Sequence, residues 1–352
     1  MELTLMEKIG QLFIVGIDGD SVTEQTKEFI LKYKIGGFIL YRKNFKSYAD
    51  MLNLIRALND LNKDNKIPLF IAIDQEGGRV NRMPSEFKNL PSASTIVRSG
   101  SLENVRESAQ IIGKMLIESG INMNFAPVLD IKRFDDNHAI GNRCYGETKE
   151  EVMENGILAM KEMKKQGLIT VIKHFPGHGA TRIDSHFTLP IIIKRIKKLE
   201  QEDISVFKNA IENGADAMMV GHLMVLNVDL IFPASLSKKF ITGYLREKMS
   251  YNGIIITDNL KMKSTCFLYG KVNSVIRALK AGNDLLLTSF ENKYIFKALE
   301  KIKRLVQNCK IDEDRINESV DRVISLKKKY IKSNNEIIGT DIDNINQMIS
   351  KY

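Results

Sequence analysis

The stretch from residue 170 to 190, TVIKHFPGHGATRIDSHFTLP, concentrates more potential chemistry than any other part of the chain. Lys173 and His174 end an apolar, β-branched run, and Pro176, Gly177 and Gly179 then interrupt regular structure. A mobile loop carrying Asp184 and His186 is therefore expected. A carboxylate two residues from an imidazole can reach it, fix its tautomer and raise its pKa. Such a dyad suits a group that donates a proton and later takes one back. His174 and His178 are four residues apart, a metal-binding spacing only on a helix. The Pro-Gly between them removes that helix, so no metal site is expected.

Other charged residues follow apolar runs in the same way. They include Asp74-Gln75-Glu76-Gly77-Gly78-Arg79, Asp130 with Arg143 further along its loop, His222, and Asp258-Asn259. Asp18 and Ser289 end two further runs with less. Any one strand-end aspartate reads equally well as a helix cap or a surface ion pair. Carboxylates, imidazoles and cations at several run ends together are equipment for binding hydroxyls and for acid–base chemistry.

The elements that position these residues are legible. Eight apolar runs recur: 12–17, 37–41, 69–74, 123–130, 170–175, 217–222, 253–258 and 284–289. Runs apolar at consecutive positions suit strands buried on both faces, as in a parallel sheet. Stretches of helical periodicity separate them. Thr148-Lys149-Glu150-Glu151 forms a capping-box pattern ahead of one such helix. Gly36-Gly37, Gly214 and Gly282 stand where helices should end. Eight strand–helix repeats predict a single-domain α/β fold, a (β/α)₈ TIM-type barrel, over residues 1–332. Its active site would lie at the carboxyl ends of the strands. Residues 291–331 read as terminal helices, and 333–352 as a C-terminal tail, loose or docked.

Composition bounds the rest. The chain has 352 residues, 43% apolar and 27% charged, enough for a large core without staples. A net charge of +9 raises the question of an acidic partner. The lysines of 194–198 and 327–329 are interspersed with apolar residues in helical stretches, which predicts a solvated basic surface and no nucleic-acid partner. Residues 1–8 lack the pattern of a signal peptide, and no apolar run is long enough to span a bilayer. Cys144, Cys266 and Cys309 are odd in number and widely spaced, so free thiols are expected. These features predict a cytoplasmic protein that makes no membrane contact, monomeric or weakly dimeric, with no cofactor.

KHFPGHG followed by DSH resembles the β-N-acetylglucosaminidase branch of glycoside hydrolase family 3. The resemblance runs from about residue 5 to 331, through IDQEGGRVNR (73–82), NFAPVLDI (124–131), IGNRCYGE (140–147), PASLS (233–237) and GIIITDNLKM (253–262). It implies a small carbohydrate substrate and a retaining mechanism that releases N-acetylglucosamine from the non-reducing end of β-linked glycosides. It further implies Asp258 as nucleophile and His186 as acid/base with Asp184 as its partner. Asp74, Arg82, Arg143, Lys173 and His174 would hold the sugar. The build is similar to that of cytoplasmic enzymes that recycle peptidoglycan fragments. The chain departs from the pattern at Asn259 and Lys261 after the nucleophile, at Ala180, and at Cys144-Tyr145.

Three alternatives remain open on sequence. An imidazole acid/base carries less negative charge than a carboxylate, so phosphate in place of water would make the protein an N-acetylglucosaminide phosphorylase. A β-glucosidase or β-xylosidase of the same family fits less well, because GHG and DSH mark the N-acetyl branch. A non-catalytic sugar-binding relative would lack the nucleophile or the dyad.

Overall fold

The computed structural model describes residues 3–134, 137, 139–181, 189–331 and 337–352. Eight parallel strands succeed one another around the molecule: β1 (Phe13–Gly16), β2 (Gly37–Leu40), β3 (Phe70–Ile73), β4 (Met123–Asn124), β5 (Ile169–Phe175), β6 (Ala217–Val220), β7 (Ile254–Thr257) and β8 (Leu286–Thr288). β8 pairs with β1, and every other strand pairs with its successor. A parallel bridge between Ile256 and Leu285 joins β7 to the start of β8 and completes the circle. This is the expected (β/α)₈ barrel. Every residue of β2, β3, β5, β6 and β7 is buried. A strand with barrel interior on one face and helices on the other has no solvent side, which is why these runs are continuously apolar.

Each expected strand lies in its predicted place, but β4 is much shorter than 123–130. The Asn124 side chain is turned to the backbone of residue 75, and Pro127 has no amide hydrogen to give a ladder. Pairing resumes only as an isolated bridge from Val128 to Lys173. A two-residue parallel pair, Ile191–Ile192 with Met224–Val225, lies outside the barrel and was not foreseen.

The capping box at Thr148 is present, its hydroxyl accepting from the Glu151 amide while the Glu151 side chain answers the Thr148 amide. Gly214 and Gly282 adopt positive φ at helix ends as anticipated. Gly36 does not. The left-handed residue there is Lys34, and Gly36 is small because a Cβ would sit 2.3 Å from the Gln11 carbonyl oxygen.

The basic surface also needs one correction. Lys327 is fully buried, its Nζ donating to Gln11 Oε1 (2.8 Å) and the Gly36 carbonyl (2.7 Å) above the Phe70 ring. Burial pulls its pKa well down. It ties the helix Glu313–Tyr330 to the barrel, as does buried Asp284, which takes Ser319 Oγ at 2.7 Å and Arg322 at 3.2 Å. Beyond that helix, Ile342–Ile349 forms a further one with Ile345 and Ile349 buried, and the Thr340 amide donates to Tyr48 Oη (2.7 Å).

Candidate active site

The loop after β3 is built by backbone constraints. Asn124 of β4 accepts from the Gln75 amide (2.9 Å) and donates to its carbonyl (2.8 Å). Gln75 in turn accepts from the Arg82 amide (2.8 Å). Between them Gly77 and Gly78 both take positive φ, which only glycine adopts without strain. The turn fixes Asp74, Glu76 and Arg82 on the rim at the carboxyl ends of the strands.

Glu76 is the centre of a buried ion cluster. Arg143 grips it through two nitrogens, at 2.8 and 2.7 Å, and Lys173 Nζ lies 2.6 Å from its Oε1. Lys173 also donates to Asp74 at 2.8 Å, so two carboxylates alternate with two cations. Side-chain exposure is 2% for Lys173 and 5% for Glu76. Burial alone would raise the Glu76 pKa. The Arg143 and Lys173 charges outweigh it and hold the carboxyl well below the usual range. Burial would likewise lower Lys173, but Asp74 and Glu76 keep its pKa raised.

A second buried pair adjoins it. Asp130 Oδ2 meets His174 Nδ1 at 2.7 Å and accepts the His174 amide, while Oδ1 accepts the His178 amide. A hydrogen bond from Nδ1–H to the carboxylate leaves Nε2 as the nitrogen for other partners. His178 is buried and its imidazole is pushed down to about 4, chiefly by desolvation, so it is neutral near pH 7.

Asp258 directly follows β7. Its amide extends the ladder to the Val220 carbonyl (3.0 Å), and its Oδ1 accepts from the Asn259 amide at 2.6 Å. Asn259 Nδ2 donates to Ser289 Oγ (2.7 Å) and Tyr41 Oη (3.1 Å), linking the ends of β7, β8 and β2. Tyr41 reports the proximity of the two rim aspartates. Burial raises its hydroxyl pKa, and the negative charges of Asp74 and Asp258 add to the rise, to about 12.

Asp74, Arg82, Arg143, Lys173, His174 and Asp258 are thus all on one rim. Asp184 and His186 lie outside the described residues. His222, expected on the rim, is instead fully buried: Nδ1 meets Ser235 Oγ (2.7 Å) and Nε2 meets the Asn259 carbonyl (3.1 Å). It braces the backbone after Asp258. Sequence reasoning counted Glu76 and Asp130 among the charged run ends without giving either a role of its own, and did not single out Tyr41. An acid in the midst of rim cations was a usable signal for the first two. Tyr41 offered none. Among the described residues no group of three or more His, Cys, Asp or Glu is placed to hold a metal ion.

The glycines after β5 interrupt regular structure as expected, Gly177 with a positive φ of 125°, and both also serve close approach. A Cβ on Gly179 would lie 1.8 Å from the Ile131 carbonyl oxygen, and one on Gly177 would lie 2.7 Å from Asp203 Cβ. Gly179→Ala is expected to destabilise the protein by about 3 kcal/mol, read from the midpoint of urea unfolding. An unchanged midpoint would show that the Ile131 segment gives way.

The model of the glycosyl hydrolase family 3 N terminal domain matches residues 4–326. A beta-hexosaminidase of Psychromonas ingrahamii is 30% identical over 323 residues, covering 90% of this chain and 92% of the relative. Beta-hexosaminidase A of Pseudoalteromonas piscicida is 31% identical over 334 residues, covering 88% of this chain; the chain spans just over half, 56%, of that relative's length. Among solved structures, a family 3 beta-N-acetylglucosaminidase from Paenibacillus sp. str. FPU-7 superposes with a TM-score of 0.94 at 34% identity, over 99% of this chain and 68% of that one.

Proposed function

The chain belongs to glycosyl hydrolase family 3, and from that premise we propose that it is a retaining β-N-acetylglucosaminidase acting on the non-reducing end of β-linked glycosides. The relatives named beta-hexosaminidase support the activity at that level. Peptidoglycan fragments are the natural substrates we favour, in the cytoplasm, where the three cysteines, all free thiols, suit a reducing compartment.

One observation carries the reading: Asp258 sits at the top of β7 on the same rim as the Asp74–Lys173–Glu76–Arg143 cluster. Glycoside hydrolysis needs negative charge at the face of C1 and a proton for the leaving oxygen. Asp258 supplies the first and attacks C1 to give a glycosyl-enzyme, which water resolves with retention. His186, paired with Asp184, gives its proton to the leaving oxygen and later takes one from water. An unperturbed imidazole near pKa ~6.5 suits both steps at neutral pH. Asp74, Lys173 and His174 bond the sugar hydroxyls, and Arg82 and Arg143 complete the pocket, Arg143 acting largely by fixing Glu76.

The test is hydrolysis of aryl N-acetyl-β-glucosaminide beside aryl β-glucoside, with the product anomer followed by NMR. Release of the β-anomer of N-acetylglucosamine is expected. An initial α-anomer, or preference for the glucoside, overturns the reading. His186→Ala is expected to lower turnover about 10²–10⁴-fold for poor leaving groups and much less for activated aryl glycosides. Equal losses for both would remove His186 from the donor role.

A further inference from the structure

The ends of β1, β2, β7 and β8 enclose a cleft of about 420 Å³ that the ion cluster does not enter. Its wall holds three cations of its own, Arg42, Lys43 and Lys261, and shares Arg82 with the sugar pocket, against one carboxylate, Asp18; without Arg82 the local excess is two positive charges (three minus one). Among the described residues none of the four cations is ion-paired. Arg42 and Arg82 donate to the main-chain carbonyls of Phe45 (2.7 Å) and Asn81 (3.5 Å). Glu291 lies near enough to Lys261 to feel its charge but is bound to Lys271 at 3.0 Å. Lys43 and Lys261 are exposed.

The cleft reaches the residue next to the candidate nucleophile. Tyr41 and Asn259 form part of it, and Asn259 directly follows Asp258. Gly16 lets the ends of β1 and β8 approach closely at its edge: a Cβ there would lie 2.8 Å from Ser289 Cβ. With the sugar on the Asp74–Lys173–Glu76–Arg143 cluster, the cleft at the ends of β1, β2, β7 and β8 is the space left for the leaving group. A concave wall of one sign concentrates field and favours ligands of the opposite sign.

We propose that this cleft is the leaving-group subsite and that Lys43 and Lys261 read a negative charge, carboxylate or phosphate, on the aglycone. The proposal rests on the glycosidase reading above and adds to it a preference for anionic substrates.

The test uses two aryl N-acetyl-β-glucosaminides, one neutral and one with a carboxylate on the ring, and the variant Lys43→Gln/Lys261→Gln. The readout is the ratio of kcat/KM between the substrates, so intrinsic reactivity and any general loss of activity cancel. The ratio of carboxylated to neutral substrate is expected to be about tenfold lower in the variant, and to fall with added salt in the parent. An unchanged ratio overturns the proposal. If neither substrate is hydrolysed, the glycosidase reading fails by itself. Calorimetry with the non-hydrolysable thioglycoside analogues of the two substrates then tests the cleft, and equal affinity of the parent for both overturns it. If inorganic phosphate diverts the product to sugar 1-phosphate in the parent and not in the variant, the cations hold free phosphate and the leaving-group assignment falls.

Discussion

Replacing Asp258 by alanine is expected to reduce turnover of an aryl N-acetyl-β-glucosaminide by about 10³-fold or more, with the unfolding midpoint little changed. The side chain is only partly buried, and its Oδ1 accepts from the adjacent Asn259 amide, so its truncation opens no enclosed cavity. What it takes away is the negative charge at C1, together with the covalent route. Asp258→Asn separates the two roles of shape and charge, since the amide fills the same space without nucleophilic character. A variant that hydrolyses as fast as the parent would end the mechanism. A variant that fails to fold would show that Asp258 is a structural residue.

Glu76→Gln is expected to have the second large effect, on stability as well as activity. Removing one member of a buried ion pair commonly costs about 3–5 kcal/mol, because the remaining charge keeps its desolvation penalty. Here two cations, Arg143 and Lys173, are left facing a neutral amide. Urea unfolding at neutral pH reads the loss, and a change under about 1 kcal/mol would show that water or Asp74 compensates. The same residue sets a pH dependence. Its folded pKa lies below the ordinary value of 4.5, so its stabilising contribution is complete above that value. It is lost as pH falls from there toward the folded pKa. The parent should therefore lose stability on acidification below about pH 4.5 more steeply than Glu76→Gln does. Parallel curves would contradict a depressed carboxyl.

The barrel and most of its rim were legible because both rest on local pattern. Strands buried on two faces must be apolar at consecutive positions, and eight such runs with helical intervals leave little choice of fold. Asp74, Lys173, His174 and Asp258 stand where those runs end, so their places on the rim followed from counting. β4 escaped this logic after its second residue, since a side chain and a proline, not hydropathy, end its pairing. Lys327 escaped it too. A lysine in a basic helical stretch looks solvated until the packing of that helix on the barrel encloses it.

By itself the sequence determined the strand–helix order, the family to which the chain belongs, and which residue types crowd the carboxyl ends of the strands. Only the tertiary structure decided who pairs with whom. Residue 76 meets residues 143 and 173, residue 130 meets 174, and residue 41 lies within reach of the charges of 74 and 258. It decided equally that His222 braces a backbone and does not face the rim, and that Gly179 permits contact with the Ile131 segment. The reason is physical. Periodicity and composition depend on neighbours along the chain, whereas a buried charge or a close approach depends on distance in space, which closing the barrel sets.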